Sequence, residues 1–458
     1  MQTQKQVLGY PLITISKETT RSLAQRENAK SAFLPRDETV WKRAFHAWYE
    51  GGLSGVFEEV VNSEDEVPSW VSSASRGMLT FVRLTSSLHG SLFPHLALSN
   101  EDIIAAFSNI TDWNKSPVKA FAWHPHTPKF AYTQQDDSIR VHLIGSELVP
   151  ILKHKLQKNV ADLAWQPQCS SVLAVACQTC ILIWHVEPTS LATRPSSSSV
   201  QVLHHQGHSP ITSLSWNPNG DVLLSASPVD TAMMAWDVSM ERCVPLRRMG
   251  GGGVSLVAFS PDCSKVFAAT PSHIFRVWET THWSCEMWSY SSGRCVAACW
   301  SPDGNILLFA IENEPVIYSL IFSTSQFGTG EDIGGSQRAI ACVDLSEVTL
   351  ESADCQTRVG GCVQAMCWDD TGERLAVMFK ERRDDSGLVA LFRTRILPVL
   401  EILPCGFVRG PDSDIPQHIA FQPKFEKGAL LSVVWSSGKL SYVPLYYVPG
   451  QAIGQHQF

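Results

Sequence analysis

A few groups of residues in this chain have the types and spacing to do chemistry. Cys177-Gln-Thr-Cys180 has the two-residue gap of a metal-binding or dithiol pair. No second pair at zinc spacing accompanies it, and apolar runs flank it on both sides, so free thiols in a hairpin are the better reading. Gly250–Gly253 is a glycine run of the kind that cradles phosphates. No Gly-Lys-Ser/Thr follows it and no helix is due there. A tight connection between two repeats accounts for it. His204, His205 and His208 are dense enough to suggest a metal, and His124 and His126 flank the exit of an apolar run. No Gly-x-Ser-x-Gly elbow or His-Glu-x-x-His helix occurs. These parts assemble into no reactive constellation. The chain is read as non-enzymatic, with no catalytic residues, no cofactor and no metal.

The elements that would position any site come from a phrase that returns seven times: apolar-x-aromatic-x-Pro or a close variant. Its copies are Phe121-Ala-Trp-His-Pro125, Leu163-Ala-Trp-Gln-Pro167, Leu214-Ser-Trp-Asn-Pro218 and Val257-Ala-Phe-Ser-Pro261. Then follow Ala298-Cys-Trp-Ser-Pro302, Met366-Cys-Trp-Asp-Asp370 and Ile419-Ala-Phe-Gln-Pro423. The central aromatics recur at intervals of about 40 to 70 residues, the shorter ones matching a propeller blade and the longer ones requiring loop insertions. Two further apolar runs follow each phrase, such as Val222-Leu-Leu-Ser225 and then Met233-Met-Ala-Trp236. β-branched and aromatic residues dominate them, which indicates short strands. Proline cannot donate to a ladder, so it ends the first strand, and Asn219-Gly220, Asp303-Gly304 and Thr371-Gly372 supply hairpin turns.

The third copy is the fullest and resembles a WD40 repeat. In that family a His, an Asp, a strand Ser or Thr and a Trp form a buried hydrogen-bonded set. The matching residues are His208, Asp230, Ser225 or Ser227, and Trp236. The expected fold is therefore all-β: a seven-bladed WD40 β-propeller over residues 113–448, preceded by a helical N-terminal segment.

Outside the wheel, residues 1–36 read as an arm. Its Leu8–Ser16 stretch alternates towards its end, with Ile13 and Ile15 on one face. The last repeat shows three strands where a blade needs four. Leu12–Ser16 is thus expected to supply the fourth and close the ring. Residues 37–112 look helical, with Trp41, Phe45 and Trp48 at helical spacing, Ser63 as a cap before Trp70, Met78 and Phe81, and Ser99 or Asn100 capping a last helix. Thr193–Ser199 and Ser323–Gln337 read as loops, and residues 449–458 as a short tail. Net charge is −8 with no basic face, so direct nucleic-acid binding is not favoured. No apolar run reaches the roughly 20 residues of a membrane span. The 13 cysteines, with no signal-peptide pattern, point to a reducing compartment.

Longer segments carry a more specific resemblance. Ser87-Leu-His-Gly-Ser-Leu-Phe-Pro-His-Leu96, Leu224-Ser-Ala-Ser-Pro-Val-Asp230 and Lys427-Gly-Ala-Leu-Leu-Ser-Val433 are similar to the aladin family of WD40 nucleoporins, in a likeness running from about Val40 to about Tyr447. The resemblance implies a scaffold subunit of the nuclear pore complex at the nuclear envelope. It also implies an integral membrane nucleoporin of the pore membrane as anchor, contacts with other pore subunits, and roles in nuclear protein import and mitotic spindle assembly. From the residues themselves, Trp41, Trp48, Trp70 and Phe81 are the candidate partner-binding side chains, with plain packing onto the propeller as the alternative. The blade-top loops are a second candidate surface. A WD40 adaptor in a ubiquitin ligase or vesicle coat would share the same wheel.

Overall fold

The computed structural model describes residues 10–15, 40–41, 44, 56–57, 60–61, 68, 70–71, 73–78, 80, 98–186, 193–196, 200–247, 252–322, 338–351, 356–380, 387–396, 399–410 and 414–447. Seven antiparallel sheets follow one another as blades, running over residues 118–152, 162–203, 213–247, 256–289, 295–344, 363–409 and 416–446. In each, the first strand in sequence lies innermost and the rest follow outward in order. Among the described residues, six blades have four strands and the seventh has three. The inner strands are those carrying the repeated phrase. Six of them end on their central aromatic before the turn, as Val118–Trp123 and Cys295–Trp300 do. Gly220, Gly304 and Gly372 have φ of +81°, +73° and +76°, the left-handed conformation their turns require. At Gly304 a Cβ would also lie 2.6 Å from the Asp262 carboxylate of the preceding blade.

The core is a set of wedges between blades. One apolar cluster fills each junction, for example Val141, Leu163, Trp165 and Trp184 between blades 1 and 2. Since both faces of a blade are packed, middle strands read as unbroken apolar runs; Val172–Ala176 and Ile306–Ile311 are buried throughout.

The seventh blade meets the N-terminal arm. Thr14 bridges Lys439 antiparallel, Ile15 N–H donates to Gly438 O (3.1 Å) and Leu440 N–H donates to Ile13 O (3.1 Å). The pairing is one bridge at the outer edge of the last strand, shorter than the five-residue strand expected. Ile13 and Ile15 are buried and Thr14 is exposed, so the alternation holds. The two isoleucines join Val118, Phe121, Phe130, Val434 and Leu440 in the cluster that seals blade 7 to blade 1.

A hairpin, Val348–Glu351 paired with Gln356–Val359, stands between blades 5 and 6. It accounts for part of the longest interval between phrases. Ser323–Gln337, Ser197–Ser199, the Ser63 cap and the tail 449–458 lie outside the described residues. Thr193 accepts a backbone bond from Ile151 N (2.8 Å), so that loop begins against blade 1.

Candidate functional site

The four residues of the third blade meet in one buried set. Trp236 Nε1 donates to Ser225 Oγ (2.8 Å), Ser225 Oγ lies 2.8 Å from His208 Nε2, and His208 Nδ1 lies 2.9 Å from Asp230 Oδ2. An indole N–H can only donate, so the Ser225 hydroxyl accepts there and has its own proton for His208 Nε2. His208 then carries its proton on Nδ1 and donates it to Asp230. Asp230 is held below the ordinary carboxylate range: burial pushes it up, but the bonds from His208 and from Ala232 N–H outweigh this. Ser227, two residues along the strand, instead accepts from Val229 N–H (3.4 Å). Asp–His–Ser in sequence of hydrogen bonds is the order of a hydrolase triad, yet Ser225 has no exposed surface and its oxygen is already engaged. The set locks two strands and a loop; it presents no nucleophile.

The repeated tryptophans carry a function that their sequence context did not reveal. Trp165 Nε1 donates to Ala122 O (3.2 Å), Trp216 Nε1 to Ala164 O (3.1 Å) and Trp300 Nε1 to Ala258 O (3.1 Å). In each case the acceptor is the residue just before the central aromatic of the previous blade. Trp123 Nε1 reaches back across the ring closure to Ser432 Oγ (3.0 Å). Trp368 bonds within its own blade to Thr394 Oγ1 (2.9 Å), and Phe259 and Phe421 have no N–H to give.

The other sequence candidates are structural. Cys177 and Cys180 are buried across a turn closed by Cys177 N–H to Cys180 O (3.0 Å), and every described cysteine is a free thiol. His124 is buried, accepts from His126 and Thr127 N–H through Nδ1 (3.0 Å each) and faces Cys169 O through Nε2 (3.2 Å). Burial pushes its pKa down to about 4. Among the described residues no group of three His, Cys, Asp or Glu side chains converges as for a metal. No described helix is long and apolar enough to cross a membrane.

Of the candidate partner-binding aromatics, Trp41 and Trp70 are 69% and 73% exposed at helical positions, while Val40, Ala44 and Val60 are buried. Trp48 and Phe81 lie outside the described residues. The last helix, Asn100–Phe107, is capped by Ser99, whose Oγ accepts from Asp102 N–H (3.2 Å). It lies over the end of the wheel where the inner strands begin. Its Ile104 packs with Ile110 and Trp113 against Ala161 of the approach to blade 2. Arg294 of blade 5 donates to Ala106 O (2.8 Å) and lies 4.5 Å from the Phe107 ring centre. A cation at a helix C-terminus also complements its dipole.

Seven sheets in succession, inner strands ending at a recurring Trp or Phe, and a buried Trp–Ser–His–Asp set define a WD40-type β-propeller. A family model described as the Aladin seven-bladed propeller matches residues 99–446. Aladin of Arabidopsis thaliana is 31% identical over 367 residues, covering 74% of this chain and 78% of that protein. The chain belongs to the aladin family. The mouse WD repeat and HMG-box DNA-binding protein 1 is 21% identical over 253 residues, 51% of this chain but 22% of that protein. A chain in the crystal structure of the mitotic checkpoint complex superposes with a TM-score of 0.53 at 16% identity, over 75% of this chain and 93% of that one, which is a likeness of fold.

Proposed function

We propose that this protein is a non-enzymatic scaffold nucleoporin, anchored at the nuclear pore through an integral membrane nucleoporin of the pore membrane and in contact with other pore subunits. In this reading it supports nuclear protein import and, in mitosis, spindle assembly at the poles. Membership of the aladin family is the observation that carries the reading. Two features support it. The wheel's polar set is sealed and structural, in keeping with a scaffold role. The exposed Trp41 and Trp70 offer large apolar surface outside the wheel, of the kind that anchors protein interfaces. Imaging a tagged full chain in interphase cells tests the proposal. A punctate nuclear rim is expected. A diffuse cytosolic signal, with a ligase or coat subunit recovered instead, overturns it in favour of an adaptor in another assembly.

A further inference from the structure

The helix Asn100–Phe107 and the turn after it do not fill the mouth they cover. Between them and blades 4, 5 and 6 lies a cleft of about 570 Å³. Its charged lining is Lys115, Arg294 and Lys380 against Asp112 and Glu312, a positive excess on a chain of net charge −8. Glu312 is shared between two cations: Arg294 Nε at 3.1 Å and Lys380 Nζ at 3.4 Å. One carboxylate of blade 5 thus holds the residue that leads into its own blade and a residue of blade 6. Glu312 and Lys380 side chains are 28% and 55% exposed, so an incoming chain can reach both. Thr111 Oγ1, also in the lining, is buried without a hydrogen-bond partner.

We infer that this cleft takes an acidic peptide segment of a protein partner, whose carboxylates replace Glu312 on Arg294 and Lys380. A guanidinium has five N–H donors, so Arg294 can keep the end of the helix through Ala106 O and still donate to a new carboxylate. The intramolecular Glu312 keeps the two cations paired while the cleft is empty, and only a segment with more than one carboxylate competes well with it. Nucleic acid fits less well. Among the described lining residues the one aromatic is Phe107, and Arg294 covers one of its faces, which leaves a poor stacking platform for a base. The inference rests on the geometry of the mouth and holds in whichever assembly the protein works.

Fluorescence anisotropy of the full chain with a labelled peptide of alternating Glu and Asp tests it, with a Lys peptide and a labelled oligo-dT as comparisons. The acidic peptide is expected to bind, more weakly as salt is raised. Arg294→Gln combined with Lys380→Gln is expected to weaken it by about tenfold or more. Glu312→Gln, which frees both cations, is expected to tighten it, an effect that loss of fold cannot imitate. Absence of binding, affinity unchanged in all the variants, or oligo-dT binding as tightly with the same response to the variants would each overturn the inference.

Discussion

Trp165, Trp216 and Trp300 show how one atom turns a core residue into a fastener. Packing alone would be served by Phe, as at Phe259; the indole N–H adds a bond to the neighbouring blade's backbone. Trp216→Phe leaves Ala164 O without that donor and removes part of the packed ring, so it is expected to cost about 2 kcal/mol. Denaturant unfolding measures this; a loss below about 0.5 kcal/mol would show that the bond is replaced. The resemblance of the third copy to a WD40 repeat was enough to name His208, Asp230 and Trp236. It left Ser225 and Ser227 open because residues two apart share a strand face. The tryptophan bonds were not legible, since an apolar-x-Trp-x-Pro phrase reads the same whether the N–H is bonded or idle.

The N-terminal arm is the element whose contribution exceeds its length. Only residues 10–15 of it are described, yet Ile13 and Ile15 are buried at the junction on which closure of the wheel depends. Tyr10 adds a bond from its hydroxyl to Gln422 Oε1 (2.6 Å). Ile15→Ala is expected to destabilise the propeller by about 2–4 kcal/mol. Thermal unfolding of the full chain checks it, and an unchanged midpoint would mean that the ring closes without the arm. The arm was legible because a missing fourth strand and an alternating segment imply each other. The hairpin Val348–Val359 was not, because its four-residue strands are short and polar, and a serine- and glycine-rich loop nearby offered a sufficient reason for the long interval. The direction of the exposed helical aromatics was equally hidden: helical spacing gives a shared face but not what covers it.

Across the whole molecule, buried and half-buried histidines make the ring sensitive to acid. Burial pushes His124, His142 and His418 down to about 4 from an ordinary 6.5. Between those values the unfolded chain binds protons that the folded chain refuses, so each histidine's contribution to stability is lost as pH falls. Asp162 acts in the opposite sense: burial raises it from 3.8 to about 7 against bonds from Leu214 and Leu163 N–H, so its contribution grows on acidification. His154 and His204, also lowered by burial, act in the same sense as the three, and the net effect is loss. His142 stacks on Phe130 (5.2 Å) and His418 lies 5.7 Å from Phe121, which places two of the three at the seam between blades 7 and 1. The melting temperature is expected to fall between about pH 6.5 and pH 4.5, and His418→Gln to reduce that fall. A midpoint that is flat or rises on acidification would contradict this.

In the proposed function a sealed wheel is brought to its assembly by surface outside it. The most direct measurement compares the full chain with its Trp41→Ala, Trp70→Ala double variant for recovery of pore-membrane nucleoporins from cells, with thermal unfolding run alongside. Both tryptophans are exposed, so the account predicts an unchanged melting temperature and loss of the membrane partner. Full recovery of that partner by a folded double variant would contradict it.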